Sequence, residues 1–435
     1  MESKESESAR LVREIYADFE MRKEMKKGLE EVWKTNMDYL NGRQHLGTSK
    51  KYFWQKQDVY NHIAPMIEGR LAQLVSDNEH FVVVPLGERE SDKSMAQKCE
   101  KILRASMEKH NMASKIDQAN MWSEITGTAF YKVIWNASGG RMVGYPNIFE
   151  GDIEIVVCSP FEIFPDNLSA GDVDNLESLI HSKPMTTEAV ERIWGVKVKP
   201  EDEDGRSVMV IERYKDGELI IVAGGTILFQ GAMEGEIPFV RQTSESVPNC
   251  FFGKSVIERA IPIQRAINSV KNRKTEYLNR LSCGVVICEE GSVDVEALEN
   301  DGLAPGSIIE YRAGTTPPKF MEGMSIPAEL EREEMRLVDE LTKITGGGNS
   351  VPSGYVNLSG VALDIIVAQD RLKIKRANKS GREARKKIAG LILRTFKKYA
   401  TEKRVERIAT GRVVELITWD RNDITSDDVK FEEGE

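Results

Sequence analysis

Phe251-Phe252-Gly253-Lys254-Ser255-Val256-Ile257-Glu258, followed by Pro262-Ile263-Gln264-Arg265-Ala266-Ile267-Asn268, opens a long helical pattern on which the reading of the whole chain turns. Pro262 fits a first helical turn, where its fixed φ and missing N–H cost little. Beyond it Ile263, Ile267, Val270, Leu278 and Leu281 keep one apolar face, interrupted at Lys274, and the pattern ends near Cys283-Gly284. At about 1.5 Å per residue this is a rod of roughly 30 Å. Its other face carries Arg265, Lys271, Arg273, Lys274 and Arg280. Such a stripe needs a neighbour.

A partner follows some forty residues on. Pro327 opens a second pattern, Leu330, Leu337, Val338, Leu341 and Ile344, which ends at Thr345-Gly346. Glu329, Glu331, Glu333, Glu334, Asp339 and Glu340 make this rod acidic. Basic and acidic rods can pair laterally, within one chain or between identical subunits; two solvated amphipathic helices with ordinary charge decoration are the alternative. Between the rods, residues 284–288 and 307–311 read as short strands, separated by a small acidic helix over 295–300 and a Leu303-Ala304-Pro305-Gly306 turn.

After the second rod comes Gly346-Gly347-Gly348-Asn349-Ser350-Val351-Pro352-Ser353-Gly354-Tyr355, a stretch with free backbone and little to pack, which predicts a mobile loop. A helix restarting at Ser359-Gly360-Val361-Ala362-Leu363 then turns basic: residues 365–404 hold fourteen Lys/Arg against three Asp/Glu, in a chain of net charge −10. Its basic face, beginning at Arg371, suits either nucleic-acid contact or acidic neighbours in an assembly. Lys271, Lys274, Arg280 and Arg371 are therefore candidate DNA or inter-subunit contacts.

In this order, the motif from Asn249 to Glu258 with Pro262 to Asn268, then Leu303-Ala304-Pro305-Gly306-Ser307-Ile308-Ile309, then Ser359-Gly360-Val361-Ala362-Leu363, resembles the portal (head-to-tail connector) proteins of tailed bacteriophages. The likeness extends over nearly the whole chain. It implies an α+β, ring-forming portal fold. Residues 1–252 would form an α/β wing, 253–283 and 326–345 the paired stem helices, and 284–325 a small α/β clip that includes Glu289, Glu290, Pro305 and Gly306. The tunnel loop would be 346–359, the long tunnel helix 360–404, and 405–435 a C-terminal β segment with the helical crown short or absent. The resemblance also implies a dodecameric homo-oligomer in the virion, assembled in the host cytoplasm and passing double-stranded DNA. The implied partners are the large terminase, the head-tail adaptor, and the major capsid and scaffolding proteins.

The rest of the chain is consistent with a multi-unit globular protein of 435 residues, 40% hydrophobic and 30% charged. No apolar run reaches membrane-spanning length and no signal peptide opens the chain, so no membrane role is expected. The acidic balance argues against tight DNA gripping but suits a channel past which DNA slides. Residues 1 to about 75 read as helical. Strands are expected at 81–85, 128–135, 151–157, 208–214, 219–222, 226–230, 412–419 and 426–431, and helices at 92–110, 112–127 and 185–194. Polar residues 199–206 read as a linker-like loop.

Motifs for turnover chemistry fail. Gly253-Lys254-Ser255 imitates the end of a phosphate-binding loop, but the position that needs the first glycine holds Pro248. His45, His62, His80, His110 and His181 form no metal-ligand spacing. The scattered Cys99, Cys158, Cys250, Cys283 and Cys288 read as reduced thiols, so neither metal nor cofactor is expected. A self-assembling adaptor without a DNA channel is the first alternative function, and a nucleic-acid-acting enzyme the second.

Overall fold

Helix α1 (Glu2–Leu40) lays an apolar stripe, Val12, Ile15 and Phe19, across one face of a five-stranded sheet, where it meets Phe164, Ile180, Ile211, Ile220 and Val222. The computed structural model describes residues 2–45, 55–74, 81–146, 148–202, 204–233, 235–283, 285–296, 298, 308–321, 327–346, 360–410 and 413–431. Farther along α1 the stripe is broken by two buried cations. Arg22 donates to the carbonyls of Phe164 and Ser178, and Lys26 to those of Pro160, Phe161 and Ile163 at 2.9–3.0 Å. These carbonyls lie on or beside an edge strand that has no further partner strand among the described residues, and the cations cover that edge.

Helix α2 (Ile63–Leu74), strand β1 (Phe81–Val83), α3 (Glu90–Lys109) and α4 (Met112–Thr126) follow. Next come β2 (Thr128–Asn136), β3 (Met142–Gly144), β4 (Ile148–Phe149), β5 (Asp152–Cys158), β6 (Ile163–Pro165) and β7 (Ser178–Thr186). Helix α5 (Thr187–Trp194), capped by the Thr186 hydroxyl on Ala189 N–H, precedes β8 (Ser207–Lys215), β9 (Glu218–Ala223), β10 (Thr226–Ala232) and β11 (Phe239–Thr243). The five-stranded antiparallel sheet has the order β10-β9-β8-β7-β6, and a three-stranded sheet the order β11-β2-β5. The β8–β9 turn at Asp216-Gly217 takes φ of 52° and 71°, the left-handed pair a tight hairpin needs.

Several elements depart from the expected pattern here, and two of them bear on the sites described below. Strand β7 is central to its sheet although Pro184 and polar Ser178, Ser182 and Lys183 hid it from periodicity. Residues 55–62 are not helical, contrary to the expectation for the first 75 residues; they are extended, for a reason given below.

Helix α6 (Val256–Cys283) begins a turn and a half before Pro262, which lies inside it. The start is set by a Ser-x-x-Glu box: Ser255 Oγ accepts Ile257 N–H at 3.0 Å, and Glu258 Oε1 accepts Ser255 N–H at 3.1 Å. Its stripe is buried through Ile263 and Ile267 against Ile63, Ile67, Leu337 and Leu341, but Leu278 is exposed. Strand β12 (Val285–Ile287) pairs with β13 (Lys319–Met321), a strand the sequence reading did not include. Residues 308–310 are not strand, Ile308 is exposed, and Tyr311 makes an isolated bridge to Val293. Most of 295–307 lies outside the described residues.

Helix α7 (Ala328–Thr345) is closed by Gly346 at φ 67°, and α8 (Gly360–Tyr399) stops five residues short of the expected 404. The helix ends because Arg404 opens β14 (Arg404–Thr410), its buried guanidinium donating to the carbonyls of Glu150 and Gly151. Strand β15 (Val413–Trp419) pairs with β14, and β16 (Val429–Phe431) with β1. Helix α8 buries Ala384, Ile388, Ile392 and Phe396 beside Tyr131, Val133, Val240 and Trp419, forming the largest core. Among the described residues no helix is long and apolar enough to cross a membrane.

Candidate functional site

The basic and acidic rods pack on each other within one chain. Their apolar faces meet through Ile263, Ile267, Leu337 and Leu341. Outside that seam Lys274 Nζ lies 3.3 Å from Glu334 and 3.6 Å from Glu331, and Lys271 Nζ 3.5 Å from Glu334. Hydrogen bonding to Glu334 raises the Lys274 ammonium above its ordinary value against the opposing effect of desolvation. Lys271 also stands over the Tyr60 ring at 4.8 Å. Two of the candidate contact residues therefore have acidic partners in the same chain. The backbones of Arg280 and Arg371 lie on α6 and α8; their side chains are outside what is described.

A third layer covers α6. The extended residues 55–62 run antiparallel to it, and every second backbone N–H meets a side chain four residues farther back on the helix. Lys56 N–H is accepted by Glu276 at 2.8 Å, Asp58 by Asn272, Tyr60 by Asn268 and His62 by Gln264, each at 3.0 Å. Asn272 and Gln264 also donate back, to the carbonyls of Asp58 and Tyr60. Two extended residues advance roughly 6.7 Å and four helical ones about 6 Å, so the registers drift slightly. The shorter Asn268 and Asn272 serve the middle of this ladder, and the longer Gln264 and Glu276 take up the drift at its ends. The amides at spacing four were visible in the sequence, but their partner strand was not.

The C-terminal end of α7, from which the glycine-rich loop leaves, is held by a buried node. Arg70 on α2 donates to the Thr345 carbonyl at 2.5 Å and pairs with Glu124 on α4 at 2.6 Å. The Glu124 carboxylate also accepts Ser244 Oγ at 2.7 Å, and its backbone carbonyl accepts Ser255 Oγ at 2.6 Å. Arg70 thus fixes the last carbonyls of α7, where a positive charge is favoured, and ties them to the start of α6. Sequence reasoning missed both residues, since charged side chains on two separate helices give no sign of which will pair. Gly346 is the described part of the loop; Gly347, Gly348, Asn349, Ser350, Val351, Pro352, Ser353, Gly354 and Tyr355 lie outside the described residues.

The basic face of α8 is partly answered by in-chain acids. Lys387 bridges Asp172 at 2.7 Å and Asp174 at 2.5 Å, and Arg394 pairs with Glu236 and Asp427. Of the expected clip residues, Glu289 and Glu290 are exposed, with Glu289 accepting the Thr316 hydroxyl. Pro305 and Gly306 are outside the described residues.

The arrangement is one of rods, straps and a cross-tied loop root. Residues 209–431, just over half of the chain, match a family model described as Phage P22-like portal protein. No curated protein matches the chain.

Proposed function

The chain belongs to the phage P22-like portal protein family, and from that premise we propose that twelve copies close into a ring at one capsid vertex, packaging and ejecting double-stranded DNA through its centre. A portal protein is a structural part of the phage, an oligomer associated with the capsid. In the proposed arrangement, residues 1–252 are the wing, 253–283 and 326–345 the stem, and 284–325 the clip on which the large terminase and then the head-tail adaptor dock. Residues 346–359 are the tunnel loop, with the helix from 360 behind it.

One observation carries this reading: the family match contains both rods, and they pair within the chain by complementary charge over a shared apolar seam. A pre-paired rod is a rigid stave, and staves packed side by side enclose an axis, apolar area supplying most of the association energy. Because Lys271 and Lys274 are engaged by Glu334, we assign DNA or inter-subunit contact first to Arg280 and Arg371. In this reading the loop, leaving a helix end held by Arg70, shifts with the duplex without disturbing a core.

Native mass measurement and negative-stain images of the purified protein test the ring. A closed assembly with a lumen is expected, whereas a monomer under all conditions or a solid bundle sinks the proposal. Deleting 349–355 is expected to leave the ring intact and impair DNA packaging or retention. Loss of the ring with unimpaired packaging in mixed particles would overturn the loop's role.

A further inference from the structure

The two sheets meet at a buried cluster whose members the sequence spreads from Cys158 to His181. Cys158 ends β5 of the three-stranded sheet. A single turn capped by Ser159 returns the chain so that Glu162 comes back beside it, and His181 enters from β7 of the five-stranded sheet. The Cys158 Sγ, a Glu162 carboxylate oxygen and a His181 ring nitrogen all lie within 4.8 Å of one another. Cys158 and His181 are buried, while Glu162 is 32% exposed and opens a path to solvent.

We propose that Cys158, Glu162 and His181 form a zinc site that staples the two sheets together. A thiolate, an imidazole and a carboxylate are the donor set a tetrahedral zinc ion takes, with a fourth position for water. Metal bonds of about 2.0 Å place neighbouring N and O ligands roughly 3.3 Å apart. His181 Nε2 and Glu162 Oε2 already stand at 3.4 Å. The other face of the ring is built as a support for a ligand: Nδ1 lies 3.3 Å from Glu212 Oε2, and that carboxylate is held by Lys132 at 2.5 Å and Tyr214 Oη at 2.7 Å. A carboxylate on the far nitrogen fixes the ring and makes Nε2 the metal-facing atom.

The Lys132 ammonium lies beside Glu212 and 3.5 Å from His181 Nδ1. Zinc displaces the Sγ proton to solvent with no change in oxidation state, and the ion together with Lys132 offsets the thiolate, Glu162 and Glu212. The interior is left neutral, which a buried site requires.

Cobalt(II) is the probe, because a thiolate ligand gives it intense near-ultraviolet charge-transfer absorption. The purified protein should take up one cobalt per chain with that absorption and lose it to one equivalent of zinc. Cys158→Ala, checked for an unchanged melt in chelator, should abolish the band, and Glu162→Gln should weaken binding at least tenfold. Absence of the band from the wild-type protein overturns the proposal. So does its persistence in Cys158→Ala, which would trace it to the exposed Cys250 or Cys288.

Discussion

The Asn268 side chain accepts the backbone N–H of Tyr60 at 3.0 Å, across 208 positions of sequence, and donates to Gln44 Oε1 at 2.7 Å. That pair is the centre of the ladder by which an extended strap is bonded to a helix through side chains alone. A helix has no free backbone groups along its flank, so amides at every fourth residue stand in for a neighbouring strand.

Asn268→Leu keeps the branched shape and removes both functions, stranding Tyr60 N–H and the Gln44 side-chain oxygen Oε1. A loss of about 2–4 kcal/mol in denaturant unfolding is expected, the scale of two buried groups left unpaired. Trypsin should also cut faster at Lys56. An unchanged midpoint together with unchanged cleavage would show that the strap is held otherwise.

Removing the Arg70 partner should cost more than removing a surface one. Glu124→Ala leaves a buried guanidinium whose remaining acceptor is a helix-end carbonyl, and about 3–5 kcal/mol is expected. Lys101→Ala, which breaks the half-exposed pair with Glu415, should cost under about 1 kcal/mol. Equal losses would refute the distinction between the two.

Between the rods, Lys274→Glu should repel Glu334 and Glu331 and cost about 1 kcal/mol. The exchange Lys274→Glu with Glu334→Lys should recover part of it. A double-mutant cycle reads the coupling directly, and zero coupling would mean that the apolar seam alone sets the register.

Asp152 governs acid sensitivity where α3, β5 and β14 meet. Burial pushes its carboxyl up, but the His110 ring at 3.5 Å and the Lys109 ammonium at 2.8 Å outweigh that and hold it well below the usual carboxylate range. With the folded value depressed, the unfolded chain binds the proton first as pH falls, so the stabilisation is present above about pH 4 and lost below it. Asp152→Asn should therefore be less stable than wild type by about 2 kcal/mol at pH 7, and the gap should close as pH falls below 4. A gap that stayed constant down to pH 3 would rule out this linkage.

What could be read directly were features carried by neighbours in sequence. The two rods, their opposite charge, the Gly346 stop, the Asp216-Gly217 hairpin and most strands follow from periodicities and turn residues within a few positions of each other. Pro262 misled about the helix start because a proline rule was weighed without the Ser255–Glu258 box, which sets the start and leaves the proline to be tolerated inside. Residues 55–62 were assigned to helix because nothing local marks a strand whose partners are side chains on another element.

By itself the sequence determined the family, the α+β class and two rods of opposite charge, because order of motifs, composition and periodicity are properties of the chain as written. The tertiary structure alone decided which charges meet: Lys274 with Glu334, Arg70 with Glu124, Asn268 with Tyr60, His181 with Glu162. The physical reason is range. Propensity and patterning act over a few residues, whereas a buried polar group is satisfied by whatever partner the packing of distant elements brings within about 3 Å.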